Sequence, residues 1–206
     1  HSIRRRQRQM CIRDRLKGVD VLVHLASNTK WDSGSPQEVL KENTSMDMNG
    51  FQAAADSGCH RIVFSSSIQV CNGQLPVGDR ASHEIALPYI PIDSDMPALV
   101  RNGYSLSKQV GENLLNYFSD THGMTCVAIR YPLLLDSNLL AKAMESGGMK
   151  RGNCYDGFAY LPIYSAAEAA VNAVTAELDG YRQYFVASKD NLEQRPAREV
   201  IEEQLS

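Results

Sequence analysis

The chain has no paired cysteines, no histidine cluster and no long apolar run. Its five cysteines, Cys11, Cys59, Cys71, Cys126 and Cys154, are odd in number and widely spaced, with no Cys-x-x-Cys. That pattern argues against a disulfide framework or a structural zinc site and fits a reducing compartment. The histidines His1, His24, His60, His83 and His122 show no ligand spacing. His24 lies inside an apolar run and is expected to be a packed, hydrogen-bonded core residue rather than a metal ligand. No stretch reaches transmembrane length and no signal-peptide pattern occurs, so a soluble, cytoplasmic protein is expected. Internal repeats and low-complexity linkers are also missing. With 206 residues at 43% apolar composition, the chain reads as one domain with one sizeable core.

Charge is unevenly placed. Residues 1–17 carry Arg4, Arg5, Arg6, Arg8, Arg13, Arg15 and Lys17 against Asp14 alone, although the chain as a whole is net −3. A nucleic-acid or membrane-surface arm would carry such charge, but this segment has no aromatic interleaving. It resembles translated sequencing-adapter read-through, so residues 1–17 are expected to be a foreign or disordered tail and residues 18–206 the fold.

Beyond the tail, apolar runs alternate with helical patterns. Val21-Leu22-Val23-His24-Leu25-Ala26 is nearly continuous, as in a strand buried on both faces, and ends at Ser27-Asn28-Thr29. Ser35-Pro36-Gln37-Glu38 reads as a helix start, with Ser35 as cap, Pro36 first and Glu38 completing a capping box; Gly58 can close it. Arg61-Ile62-Val63-Phe64 is a second strand, stopping at Ser65-Ser66-Ser67. Residues 72–103, rich in proline and glycine, read as a long excursion of the functional kind. A helix from Tyr104 to about residue 120, stopped by Gly123, leads to a third strand over 125–130 that ends at Tyr131-Pro132-Leu133. A helix over 166–178, a strand over 183–187 and a terminal helix from about residue 195 follow.

Strand, helix, strand at this spacing predicts right-handed crossovers and an α/β doubly wound parallel sheet. In such sheets ligands bind beyond the carboxyl ends of the strands, so the three strand-end segments should line one crevice. The Tyr104 helix joins them there. Tyr104 and Lys108 are one helical turn apart, beside an apolar stripe of Leu106, Val110 and Leu114. An ammonium that close is expected to favour the phenolate and lower the Tyr104 pKa towards that of a working acid or base.

These residues resemble the extended short-chain dehydrogenase/reductases, the NAD-dependent epimerase/dehydratase family, from about residue 18 to 188. The segment 20–26 resembles the family's fourth strand. Phe64-Ser65-Ser66-Ser67-Ile68-Gln69-Val70 resembles its Ser-Ser-Ser-x-x-Val-Tyr-Gly segment. Pro91 to Pro97 followed by Tyr104 resembles the approach to Tyr-x-x-x-Lys, and Arg130-Tyr131-Pro132 the strand end bordering the nicotinamide. The resemblance implies a Rossmann-like fold binding NAD or NADP, with Ser67, Tyr104 and Lys108 catalytic. It implies cofactor contacts at Leu25, Ala26, Ser27, Ser65, Tyr104, Lys108, Tyr131 and Pro132, and substrate contacts at Asn28, Thr29 and Gln69. The expected substrate is a sugar or sugar nucleotide, and the expected assembly a homodimer through the helices near Pro36 and Tyr104. Neither nucleic acid nor a membrane nor a metal is expected.

Departures accompany the likeness. Cys71-Asn72 stands where Tyr-Gly is usual, Asp47 where Asn is usual, and Ser165 where Asp is usual. No Gly-x-x-Gly-x-x-Gly follows any strand, so the chain is expected to lack the first strands and the glycine loop that holds the pyrophosphate. A non-catalytic dinucleotide-sensing protein and a fragment without activity of its own are the rival readings. Retention of Ser67, Tyr104 and Lys108 together speaks against the sensor.

Overall fold

In a computed structural model, residues 14–30, 35–72, 87–145, 157–192 and 195–205 are described. Strand β1 (Val21–His24) leads through helix α1 (Pro36–Ser57) to β2 (Arg61–Ser67) and a short helix α2 (Gln69–Asn72). Helix α3 (Gly103–His122) then feeds β3 (Thr125–Tyr131). Two small strands, β4 (Leu133–Leu135) and β5 (Tyr160–Pro162), flank α4 (Ser137–Glu145). Helix α5 (Ile163–Thr175), strand β6 (Tyr181–Phe185) and helix α6 (Ala197–Leu205) complete the described order.

The main sheet runs β1-β2-β3-β6 with every pairing parallel, from Val21 opposite Arg61 to Ser67 opposite Tyr131. Period-two alternation divides its side chains between two faces. Ile62, Phe64, Cys126 and Ala128 meet Phe51 and Ala54 of α1 and Leu115 and Phe118 of α3. Val63, Val127, Ile129 and Tyr131 meet Ala166 and Ala173 of α5 on the other face. The first layer is dominated by aromatics: Phe51 packs edge-to-face on Phe64 at 5.7 Å and on Phe118 at 6.0 Å. All three rings are fully buried, and each such burial is worth about 1.5–3 kcal/mol, more than any single polar contact between these helices.

Close approach needs a missing side chain at one place. A Cβ on Gly111 of α3 would stand 2.5 Å from the Phe64 ring, so only glycine lets the helix lie this low on β2. Gly58 and Gly123 end α1 and α3 in the left-handed conformation, at φ of 83° and 64°.

Several expectations change. Ser35 occupies the N-cap of α1 but makes no capping hydrogen bond; its hydroxyl goes to Gln37 Oε1 instead, and the capping box with Glu38 does not form. The box belongs to α3, where Asn102 accepts from the Ser105 amide at 2.7 Å and the Ser105 hydroxyl accepts from the Asn102 amide at 3.2 Å. Strand β2 continues through Ser67, because β3 offers partners as far as Tyr131. Helix α5 starts at Ile163 and β6 at Tyr181, each slightly earlier than expected, and the β4–β5 pair and α4 were not anticipated. The stripe Leu106, Val110 and Leu114 is only partly buried: Leu106 is exposed, Val110 is half-buried and Leu114 packs on the margin of the aromatic layer. The buried face of α3 is instead Lys108, Gly111, Glu112, Leu115 and Phe118. Residues 73–86, the middle of the excursion, and residues 1–13 of the tail lie outside the described residues. Leu16, at the end of that tail, packs against the aromatic layer.

Candidate active site

Ser67 is the last residue of β2, and Tyr104 and Lys108 stand on the first two turns of α3. The fold brings all three together. The Ser67 hydroxyl lies close enough to the Tyr104 phenol to pull its pKa down, and it accepts from the Gln69 amide at 3.2 Å. Lys108 is buried, and its Nζ donates to the Ser65 carbonyl at 2.7 Å. The same nitrogen lies 4.7 Å from the centre of the Phe64 ring and 5.6 Å from that of Tyr104. The ammonium thus meets the faces of two rings and a main-chain oxygen, a cation-π setting rather than a salt bridge.

This arrangement reverses the expected pKa order. Burial pushes the Tyr104 phenol above its ordinary value, the Ser67 bond pulls the other way, and the charge of Asp47 adds to the rise. Lys108 is pulled down to about 8 by burial, opposed by the carboxylates of Asp47 and Glu112. In the ligand-free chain desolvation outweighs the lowering effect of Ser67, so Tyr104 is held as a neutral phenol. It is a stored proton.

Two networks that the sequence did not single out surround the three residues. Glu112, one turn beyond Lys108, is buried and bonds Arg130 Nε and Nη2 at 2.9 Å each, while Ser66 donates to its Oε1 at 2.6 Å. Arg130 also reaches the Met96 carbonyl at 2.9 Å, tying the 87–102 loop to β3. On the other side Asn43 of α1 donates to Ser107 Oγ at 2.9 Å and to the Asn28 carbonyl at 3.0 Å, and accepts from the Asn28 amide at 2.7 Å. Asp47, one turn after Asn43, is buried and accepts from His24 Nε2 at 2.9 Å. Spacing of four on α1 was the signal available for both.

The remaining candidates differ in placement. Leu25 and Ala26 are exposed beyond β1, and the Ser27 hydroxyl beside them is buried without a hydrogen-bond partner. Tyr131 turns to the far face and donates to the Ala166 carbonyl at 3.1 Å; Pro132 is buried after it. The Asn28 amide side chain is engaged with Glu42 at 2.7 Å, Thr29 is exposed, and Gln69 accepts from Asn102 Nδ2 at 3.1 Å. Asn28 and Gln69 therefore brace α1 and the start of α3. A separate cavity of about 880 Å³, lined by Ile92, Phe158, Phe185, Ser188 and Asn191 among others, lies past the end of β6 and contains none of Ser67, Tyr104 and Lys108.

A parallel sheet helical on both faces, with polar groups gathered where its strands end, defines a doubly wound α/β protein of the Rossmann type. The chain belongs to the NAD dependent epimerase/dehydratase family, whose sequence model matches residues 4–137. It is 27% identical over 182 residues to an L-arabinose 1-dehydrogenase (NAD(P)(+)) of Haloferax volcanii, covering 80% of this chain and 69% of that protein. An NAD-dependent glucose-6-phosphate dehydrogenase of the same organism is 30% identical over 128 residues, 59% of this chain and 46% of that one. The UDP-glucose 4-epimerase of Brucella ovis, solved in complex with NAD, superposes with a TM-score of 0.66 at 16% identity, over 94% of this chain and 65% of that one. The chain spans less than two thirds of the length of the second and third of these. No helix among the described residues is long and apolar enough to cross a membrane.

Proposed function

We propose that the full-length protein is an NAD- or NADP-dependent oxidoreductase or epimerase acting on a sugar or sugar nucleotide, with Ser67, Tyr104 and Lys108 as its reacting groups. The observation that carries this reading is the convergence of Ser67 and Tyr104 with a buried lysine whose Nζ lies 5.6 Å from the Tyr104 ring. The family and its sugar-dehydrogenase relatives support the reaction class.

The described residues suit the nicotinamide end of such a cofactor. The unpartnered Ser27 hydroxyl, with exposed Leu25 and Ala26 beside it, offers a shelf at the end of β1. Lys108 has committed one proton to Ser65 and keeps further donors for a ribose hydroxyl. Among the described residues no glycine-rich turn follows a strand, so no partner for the pyrophosphate is assigned. When bound, the nicotinamide supplies or accepts the hydride.

The chain's own residues handle the proton. Tyr104 gives its phenolic proton to a substrate carbonyl oxygen in reduction, or takes the hydroxyl proton in oxidation. Ser67 steadies the same oxygen, and cationic Lys108 stabilises the phenolate left after donation. Asn28, Thr29 and Gln69 are the substrate contacts of this reading, although the first and third also brace the fold. The test is turnover by the purified full-length protein on aldoses, uronic acids and sugar nucleotides with each dinucleotide. Cofactor binding without turnover on any of them would favour a sensor.

We also propose a homodimer through α1 and α3. Leu106, Tyr117 and Met48 are exposed on these helices, beside half-buried Val110 and Leu114. Such a face on two adjacent helices suits a two-fold four-helix contact.

A further inference from the structure

Asp47 is a buried carboxylate with half of its bonding capacity unused. It is 1% exposed, its Oδ1 accepts from His24 Nε2 at 2.9 Å, and its Oδ2 has no hydrogen-bond partner. An acceptor left unpaired in the core is costly, so its persistence calls for a compensating charge. The free oxygen lies against the bare backbone of α3: a Cβ on Gly111 would stand 3.0 Å from it. Gly111 follows Lys108 by three residues, which puts both on one face of the helix.

The charged and titratable groups around Lys108 leave Asp47 as its counterpart. From its own helix come Tyr104, a neutral phenol, and Glu112; Glu112 is held by two hydrogen bonds from Arg130 of β3 and a third from Ser66 of β2. From β1 comes His24, which donates to Asp47, and from α1 comes Asp47 itself. The Ser65 carbonyl contacts Lys108 directly but carries no net charge. The charge of Glu112 is neutralised by a guanidinium, whereas that of Asp47 meets only an imidazole N–H. Asp47 acts on Lys108 through space and raises its proton affinity against the effect of burial.

We infer that Asp47, pinned by His24, is the counter-charge of Lys108, a positioning pair behind the reacting groups that keeps the lysine cationic where Tyr104 needs it. His24 serves by orientation. Its ring stacks on Phe64 at 6.0 Å and meets Phe51 edge-on at 5.3 Å, so Nε2 is aimed at the carboxylate by the aromatic layer itself. This role deepens the hydride-transfer reading and rests on it for its purpose, while the pairing itself is a property of the ligand-free chain.

The test is a nitrogen-detected NMR titration of the Lys108 side chain in the ¹³C,¹⁵N-labelled 206-residue chain, wild type against Asp47→Asn. The amide keeps the shape and one acceptor oxygen for His24 while removing the charge, so the Lys108 midpoint is expected to fall by about one pH unit or more. His24→Phe preserves the ring packing and should lower the midpoint by a smaller amount, because Asp47 then loses its donor. An unchanged midpoint in folded Asp47→Asn overturns the inference. If that variant does not fold, the wild type decides: the Asp47 carboxyl carbon must shift with the midpoint of Lys108, and a carbon signal flat through that range overturns it equally. No cofactor or turnover enters either readout. If Lys108 titrates as stated while Tyr104→Phe retains full activity, the hydride-transfer reading falls and the Asp47 pairing stands.

Discussion

Lys108 Nζ donates to the Ser65 carbonyl at 2.7 Å, and this bond ties the first turns of α3 to the end of β2. It sets the reach of the whole candidate site. Tyr104 lies one turn earlier on the helix and Ser67 two residues later on the strand, so a helix anchored at Lys108 carries the phenol to the serine hydroxyl.

Replacing Tyr104 by Phe removes the transferable proton and little else, because the ring and its contact with Lys108 remain. Turnover of the full-length protein should fall about 10²- to 10⁴-fold, while cofactor affinity, read by fluorescence titration, stays within a factor of about two. A variant that keeps half of its activity would remove Tyr104 from the chemistry.

Lys108→Met should weaken both cofactor binding and turnover, since one ammonium serves ribose and phenol. Its pH dependence has a definite sign. Burial holds the Lys108 pKa down at about 8, so the side chain is cationic below that value and neutral above it. Cofactor affinity should therefore decline as pH rises through about 8, and calorimetric titration of Lys108→Met should show no such decline. A pH-independent wild type would contradict the assignment.

The Glu112–Arg130 pair is buried on both sides, each side chain being 5% exposed. Removing one partner strands the other's charge in the core, so Glu112→Ala should destabilise the chain by about 3–5 kcal/mol in urea unfolding. The double change Glu112→Leu with Arg130→Met should recover much of that loss, because neither charge then remains. Equal destabilisation by the single and double variants would mean that the network is not the source.

If α1 and α3 form the subunit contact, light scattering at micromolar concentration should give twice the mass of the chain, and Leu106→Glu should halve it without altering the circular dichroism spectrum. A monomeric wild type would leave the partly buried stripe of α3 without its proposed partner.

The strands were legible in sequence because a strand covered on both faces is mostly apolar, as Ile62–Phe64 and Cys126–Ile129 are; β1 shares the apolar run but not the cover, since Val23 is exposed. Helix ends at Gly58 and Gly123 were legible too, since the left-handed conformation there selects glycine. The Tyr104–Lys108 pair followed from a helical repeat of four and the serine run from a strand end, while the choice of Ser67 among the three serines rested on the family resemblance. What local pattern could not supply was orientation. Leu106, Val110 and Leu114 form as good an apolar stripe as any, yet α3 turns Lys108 and Glu112 inward, because β2 and β3 provide Ser65, Ser66 and Arg130 to receive them. Nor could sequence supply the sign of the Tyr104 shift. A lysine four residues away predicts a lowered pKa, whereas burial in the folded chain removes water from the phenol and the charge of Asp47 adds to the rise. The chain determines which groups are one turn or one strand apart; only tertiary structure decides which of them face each other in a low dielectric, and there desolvation outweighs a neighbouring charge.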